Sequence, residues 1–240
     1  MRIAVLSDIH SNLVALDAVL AHAGNVDGIW HLGDVVGYGP DPDGVVARLG
    51  ERAAVGVRGN HDAAALGGDE IDFFNPDAKA AMLWTRRHCS PATTAWLEAL
   101  PLRRVEDEVT LVHGSPRDPI WEYVTSERVA RANLAVLTTR DGLHGHTHVP
   151  IAWVGAGDKV HGEAPGDRDT ITFETRRAFL NPGSVGQPRD GDPRSSYLVL
   201  DMAARSATWH RVPYDIDAVA RAMRAAGLPV RLAERLYHGR

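Results

Sequence analysis

Five apolar runs of strand length in this chain each end in aspartate, asparagine or histidine, and four of the five carry a glycine at that point. Ile3–Ser7 leads into Asp8-Ile9-His10, and Ile29–Leu32 into Gly33-Asp34. Ala53–Val57 leads into Gly59-Asn60-His61-Asp62, and Val109–Val112 into His113-Gly114. The run at Leu143 gives way to His144-Gly145-His146-Thr147-His148. Helical patterns separate the first three. Leu13, Leu16 and Leu20 share a face over Leu13–Ala23, with Ser11 or Asn12 to cap it and Gly24 to stop it. Asp41-Pro42-Asp43 opens a second helix, aspartate as N-cap and proline at the first helical position, which closes at Gly50. A β-α-β-α-β order demands a parallel sheet with right-handed crossovers. The unbroken apolar character of Ile3–Ser7 suits a strand buried on both faces. In such sheets the carboxyl ends of parallel strands share one crevice, where ligands bind. The five polar segments are therefore expected to converge. Gly33, Gly59, Gly114 and Gly145 would permit sharp turns and close approach to a bound group.

Further along, Pro76–Leu100 reads as helical in two runs broken near Ser90-Pro91. From Arg103 onward strand patterns dominate, at Val109–Val112, Leu143–Gly145, Pro150–Val154, Thr170–Glu174, Ala178–Leu180, Tyr197–Asp201 and Thr208–Val212. A last helix is expected over Ile216–Ala226, and Gly155–Asp169, rich in Gly, Asp and Pro, reads as an exposed loop. No long linker, repeat or low-complexity stretch divides the chain, so residues 1–240 read as a single domain. A hydrophobic share of 44% is enough for a substantial core. A net charge of −5 without a basic run gives no nucleic-acid signal. Cys89 is the one cysteine, which rules out an intramolecular disulfide and points to a reducing compartment. The N-terminus lacks a secretory h-region, and no apolar stretch approaches the ~20 residues that span a bilayer. The expected location is cytoplasmic, with no membrane partner.

Histidine is over-used for a chain of this kind, at 12 residues, several beside Gly, Asp or Asn. Asp8, His10, Asp34, Asn60, His113, His146 and His148 offer carboxylate, amide oxygen and imidazole without thiolate. Such a set suits Mn²⁺, Fe, Zn²⁺ or Co²⁺ and argues against a structural zinc or an Fe–S cluster. Seven candidates exceed what one ion takes up and suit a pair. On an extended segment His146 and His148, two residues apart, would face the same side.

These blocks resemble the signature of the calcineurin-like metallophosphoesterases: D-x-H, G-D, G-N-H-[DE], a later His-Gly and G-H-x-H, all present in order between residues 8 and 148. The flanks Ser7–Asn12, Gly33–Pro40 and Asn181–Gly186 are similar to a bacterial and archaeal small-phosphoesterase branch. The resemblance implies an α/β fold, a four-layer αββα sandwich of two mixed β-sheets flanked by helices. It implies two divalent ions per chain, manganese foremost and iron, zinc, cobalt or nickel as alternatives. Asp8, His10 and His148 would hold one, Asn60, His113 and His146 the other, with Asp34 bridging. His144 is set aside on the family pattern alone. Counting charge, two dications less Asp8, Asp34 and a bridging hydroxide leave a net positive site, suited to a phosphoryl group. The implied reaction is hydrolysis of phosphoester bonds in small-molecule or nucleotide substrates by the bridging hydroxide. His61 would be the general acid, or else a hydrogen-bonding neighbour of Asn60. Arg189 is a candidate for gripping phosphate oxygens through its planar fork, or a solvated loop arginine. Tyr38 would border the pocket or simply shape a turn, and Asn181 and Ser184 would line the site or make the turn at Pro182-Gly183.

Rival chemistries fail on the residues. His88-Cys89 begins like a cysteine-phosphatase loop, yet its arginine would fall at Ala95. Ser184 lacks the first glycine of a serine-hydrolase elbow, since Pro182 stands there. Serine/threonine protein phosphatases and symmetrical dinucleoside tetraphosphatases carry G-D-x-V-D-R-G, where this chain has Gly37 and Tyr38. That departure leaves the partner of His61 open and favours small substrates. A dinucleoside polyphosphate hydrolase or protein phosphatase remains the alternative enzyme, and a non-catalytic interaction scaffold the alternative of another class. Oligomeric state is open.

Overall fold

The computed structural model describes residues 1–156 and 159–240. Among these, twelve strands form two six-stranded mixed sheets flanked by helices. The first sheet contains β1 (Arg2–Leu6), β2 (Gly28–His31), β3 (Val55–Gly56), β9 (Thr170–Thr172), β11 (Ser195–Asp201) and β12 (Ser206–Val212), in the order β3-β2-β1-β11-β12-β9. The second contains β4 (Arg103–Glu106), β5 (Val109–Val112), β6 (Asp141–Leu143), β7 (Ile151–Ala156), β8 (Lys159–Glu163) and β10 (Arg177–Asn181), in the order β4-β5-β6-β10-β7-β8. The strands β1, β2 and β3 run parallel, Val5 opposite Trp30 and Trp30 opposite Val55. In the other sheet β5, β6 and β10 are parallel. Each sheet thus has its own set of parallel strands extended by antiparallel partners, and in the first sheet the parallel strand β3 is itself an edge.

Alternation along β1 shows why the sheets stack. Ile3 and Val5 face Leu111, Leu200 and Trp209 in the layer between the sheets. Ala4 and Leu6 face outward onto Leu16, Val19 and Val45 of the crossover helices α1 (Leu13–Ala23) and α2 (Pro42–Glu51). Both faces are dry, so the run reads as continuously apolar. Each such side chain contributes about 1.5–3 kcal/mol relative to an exposed one. Asn12 caps α1 through the Ala15 amide, and Asp41 caps α2 through that of Gly44.

Several expectations are corrected. The third strand shrinks to two residues, and Asn60-His61-Asp62 open the short helix α3 (Asn60–Ala65), an element the sequence did not mark. The cause is Asp62, whose carboxylate accepts the Gly59 amide at 2.9 Å and the Val36 amide at 3.0 Å and so closes the first turn. The strand expected at Leu143–Gly145 ends at Leu143, so His144–His148 leave the sheet entirely. The supposed loop Gly155–Asp169 contains β8, paired with β7; its residues 157 and 158 lie outside the described part. Pro76–Leu100 does divide into α4 (Pro76–His88) and α5 (Pro91–Ala99), each started by a proline. Helix α6 (Glu127–Val136) went unread because Asn133 interrupts its apolar face; there it donates to Glu122 at 2.7 Å. Its Ser126 cap was the available signal. At the C-terminus α7 (Ile216–Ala225) and the unforeseen α8 (Val230–Leu236) pack with Tyr38, Ala78 and Ala81, over the region where the parallel strands end.

Candidate active site

The segments after β1, β2, β5 and β6, with the start of α3, bring Asp8, His10, Asp34, Asn60, His113, His146 and His148 to one place where the two sheets meet. None of the seven is more than 4% exposed. Among the described residues, ligand atoms of Asp8, His10, Asp34 and His148 lie within 4.8 Å of one another, as do those of Asp34, His113 and His146. Asp34 belongs to both groups. Asn60 joins the second, its Oδ1 2.9 Å from His113 Nε2.

Backbone carbonyls fix the ring tautomers. Nδ1 of His10 donates to Val36 O, that of His113 to Leu32 O at 2.8 Å, and that of His148 to Gln187 O at 2.6 Å. A carbonyl can only accept, so each neutral ring is left with a bare lone pair on Nε2. Two of those lone pairs meet each other, and the third meets a carboxylate. His10 Nε2 is 3.2 Å from His148 Nε2, and His113 Nε2 is 3.4 Å from Asp34 Oδ2 and 3.0 Å from His146 Nδ1, which can donate or accept. Asp8 Oδ1 has no hydrogen-bond donor and stands 3.3 Å from His148 Nε2. Protonating these rings is opposed by burial. Burial, with the His61 charge next, pulls His10 well below the usual imidazole range. Burial and Arg189 do the same to His148, and burial drives His146 down to about 2. Burial also pushes the Asp8 carboxyl up to about 7 and raises Asp34, with Asp62 adding to the latter. Lone pairs aimed at lone pairs around buried carboxyls are a donor set that could hold cations, with Asp34 shared between the two groups.

The backbone is strained where the donors sit. Asp8, His10, Asp34, His146 and His148 all hold left-handed φ between 51° and 66°. A non-glycine residue there costs roughly 1–2 kcal/mol. His146 and His148 are therefore not extended, and they reach different groups; the same-side expectation does not hold. Gly33 takes φ +86°, as its turn requires, whereas Gly59 and Gly145 are needed for space. A Cβ on Gly59 would strike Asp34, and one on Gly145 would strike Ser7.

His61 lies at the rim of the cluster, its backbone amide donating to Asp34 Oδ1 at 2.8 Å. Its ring stacks on Phe74 at 4.6 Å and 20°, and its Nδ1 faces Met82 Sδ at 3.1 Å. The partner left open by the sequence is thus a thioether, and Asp62 is occupied with amides. Burial, then the charge of Arg189, holds His61 well below its ordinary value. Tyr38 sits 4.5 Å from His61 by ring centroids, and Arg189 Nη2 reaches its hydroxyl at 3.4 Å. Asn181 and Ser184 do not line the site. Asn181 donates to Gly145 O and Ser184 to Asp8 O, both at 2.8 Å, so they lock the donor loops from behind. His144 points away, over Phe179. Arg58 turns to the carbonyls of Leu97 and Glu98 at the end of α5.

Beside the cluster opens a cleft of about 550 Å³ whose lining includes Phe73, Phe74, Trp121, Tyr123 and Arg235 in addition to His61, Tyr38 and Arg189. Those first five escaped the sequence reading. None lies at a strand end, and Arg235 reaches the cleft from α8.

Two mixed sheets, with a buried aspartate shared between two histidine groups at the ends of their parallel strands, describe the class of binuclear metallohydrolases. The chain belongs to the calcineurin-like phosphoesterase superfamily, whose domain model matches residues 1–205. It is similar to a metallophosphoesterase from Sphaerobacter thermophilus of known structure, 44% identical, with a TM-score of 0.91 over 100% of this chain and 99% of that one. It is 37% identical to an uncharacterised protein of Methanocaldococcus jannaschii over 99% of this chain and 98% of that protein. It is 30% identical to the phosphodiesterase YfcE of Escherichia coli over 84% of this chain and 88% of that protein. No helix among the described residues is long and apolar enough to cross a membrane.

Proposed function

We propose that residues 1–240 act as one dimetal phosphoesterase domain that hydrolyses small phosphoesters, nucleotides among them, in the cytoplasm. The observation that carries the reading is the shared Asp34 between the group Asp8, His10, His148 and the group His113, His146, with Asn60 beside it. Asp8, His10 and His148 would hold one ion, Asn60, His113 and His146 the other, and Asp34 both. When bound, such a pair supplies a nucleophile from water at neutral pH and offsets charge on the phosphoryl oxygens, manganese being the first choice and iron, zinc, cobalt or nickel the alternatives. The chain's own groups do the rest. Val36, Leu32 and Gln187 carbonyls orient the three rings. Arg189, braced by Gln187 Oε1 at 2.9 Å, presents its fork to the phosphate. As water's oxygen bonds to phosphorus and the ester P–O bond breaks, the imidazolium form of His61, a strong acid because burial depresses it, would give its Nε2 proton to the leaving oxygen, and the proton shed by the attacking water would restore the ring. Phe74 and Met82 fix the plane of that ring.

The similarity to a phosphodiesterase supports ester hydrolysis, and the Gly37-Tyr38 pair favours small substrates over phosphoprotein. Purified protein with its metals quantified should turn over monoester, diester or nucleotide substrates with Mn²⁺ and prefer them to a phosphopeptide. Metal-loaded protein inert towards all of them would favour a scaffold, and phosphopeptide preference a protein phosphatase.

A further inference from the structure

The cleft beside the metal cluster is built for more than a phosphoryl group. Its volume, about 550 Å³, falls within the roughly 300–1,000 Å³ of sites that enclose a whole small molecule. Its two walls differ in chemistry. On one side stand the guanidinium groups of Arg189 and Arg235 with the Tyr38 hydroxyl. Burial, and then the neighbouring Arg189 charge, pulls Arg235 below its usual value, with Tyr38 and Asp77 acting the other way. On the other side Phe73, Phe74, Trp121 and Tyr123 form an aromatic bank.

Local structure holds that bank out. Glu122 is anchored inward, accepting from Ser115 at 2.6 Å and Asn133 at 2.7 Å, so Trp121 and Tyr123 on either side of it turn to the cleft. Tyr123 lies flat on His146 at 3.9 Å and 19°, and Phe74 on His61 at 4.6 Å. Phe73 meets Trp121 edge-on at 5.7 Å yet remains 79% exposed, and Tyr123 50%. Large apolar rings left in water at the mouth of a charged pocket have a recognition role, not a packing one.

We propose that Phe73, Phe74 and Trp121 form a base-stacking subsite, so that the preferred substrates of this site are nucleotides, the ring held by the aromatic bank and the phosphate by Arg189 and Arg235. The inference rests on the phosphoesterase reading above. A ligand flat at one end and anionic at the other satisfies both walls at once. Stacking of a base on one aromatic side chain is sequence-tolerant, so adenine and thymine serve equally as probes.

The test compares matched substrates with and without a base: adenosine 5′-monophosphate with ribose 5-phosphate, and thymidine 5′-(4-nitrophenyl) phosphate with methyl 4-nitrophenyl phosphate. The Mn²⁺-loaded wild-type chain should favour the base-bearing member of whichever pair it hydrolyses. In Phe73→Ala and Trp121→Ala that kcat/KM ratio should fall about 5–150-fold, the magnitude of one lost stacking contact. Calorimetric binding of adenosine 5′-monophosphate and ribose 5-phosphate supplies a second readout. Phe73 is mostly in solvent, so its truncation leaves the fold intact even if Trp121→Ala does not. Equal use of both members of a pair, or a ratio unchanged in Phe73→Ala, would overturn the subsite and leave hydrolysis standing. Tighter binding of the base-bearing ligand, dependent on Phe73 and without turnover of any ester, would uphold the subsite and refute the hydrolase.

Discussion

Replacing Asp34 by asparagine separates the fold from the metal pair, because the two demand opposite things of that side chain. Its Oδ1 accepts the His61 amide at 2.8 Å, which an asparagine oxygen can still do. Its Oδ2 faces His113 Nε2 at 3.4 Å and His10 Nε2 at 3.7 Å, both lone pairs in the neutral rings. An amide NH₂ there turns repulsion into donation. Only the His113 contact is within hydrogen-bond reach, so at about 1 kcal/mol per hydrogen bond the metal-free variant should gain about 1 kcal/mol. For a chain of this size 1 kcal/mol moves Tm by roughly 2–4 °C, so metal-free Asp34→Asn should melt about 2–4 °C above metal-free wild type. Metals act the other way. At one hundred times its Kd, a bound ion stabilises wild type by about 2.7 kcal/mol, or roughly 5–11 °C. The variant should show almost none of that rise. Scanning calorimetry with and without Mn²⁺, together with elemental analysis, measures both numbers. Two ions per chain in the variant, or an undiminished metal-dependent rise, would refute the shared-carboxylate geometry.

His61→Ala should retain its metals, since the ring belongs to neither donor group, and should lose about 10²–10⁴-fold in turnover of esters with poor leaving groups. Comparing 4-nitrophenyl with alkyl esters checks this, and equal slowing of both would speak against proton donation. A pH effect on stability follows from His31, buried against Trp96 with neither ring nitrogen partnered and depressed to about 3 by burial and Arg104. Its folded pKa lies below the unfolded 6.5, so the native state resists protonation. The stability it permits is complete above pH 6.5 and is lost as pH falls toward 3, at about 1.4 kcal/mol per unit. His31→Leu should flatten urea-unfolding stability between pH 6.5 and 4 by that slope; an unaltered slope would contradict the assignment.

The alternation of apolar runs and capped helices determined the parallel β1-β2-β3 core, because both faces of β1 are buried and its periodicity is local information. The identities of the clustered residues were also legible, since aspartate, asparagine and histidine beside glycine at strand ends announce themselves by type and place. Tertiary structure decided their geometry. No local rule predicts left-handed φ at Asp8, His10, Asp34, His146 and His148; each is held there by segments distant in sequence, such as Ser184 on the Asp8 carbonyl. The tautomers were likewise invisible, because Val36, Leu32 and Gln187 offer only backbone oxygens, which carry no signature in residue type. The partner of His61 was decided by packing alone: Met82, an ordinary core residue of α4, comes into reach only once α3 and α4 meet. The aromatic bank and Arg235 came last, because a cleft wall is a property of loops and a C-terminal helix brought together in space, with no periodicity along the chain to mark it.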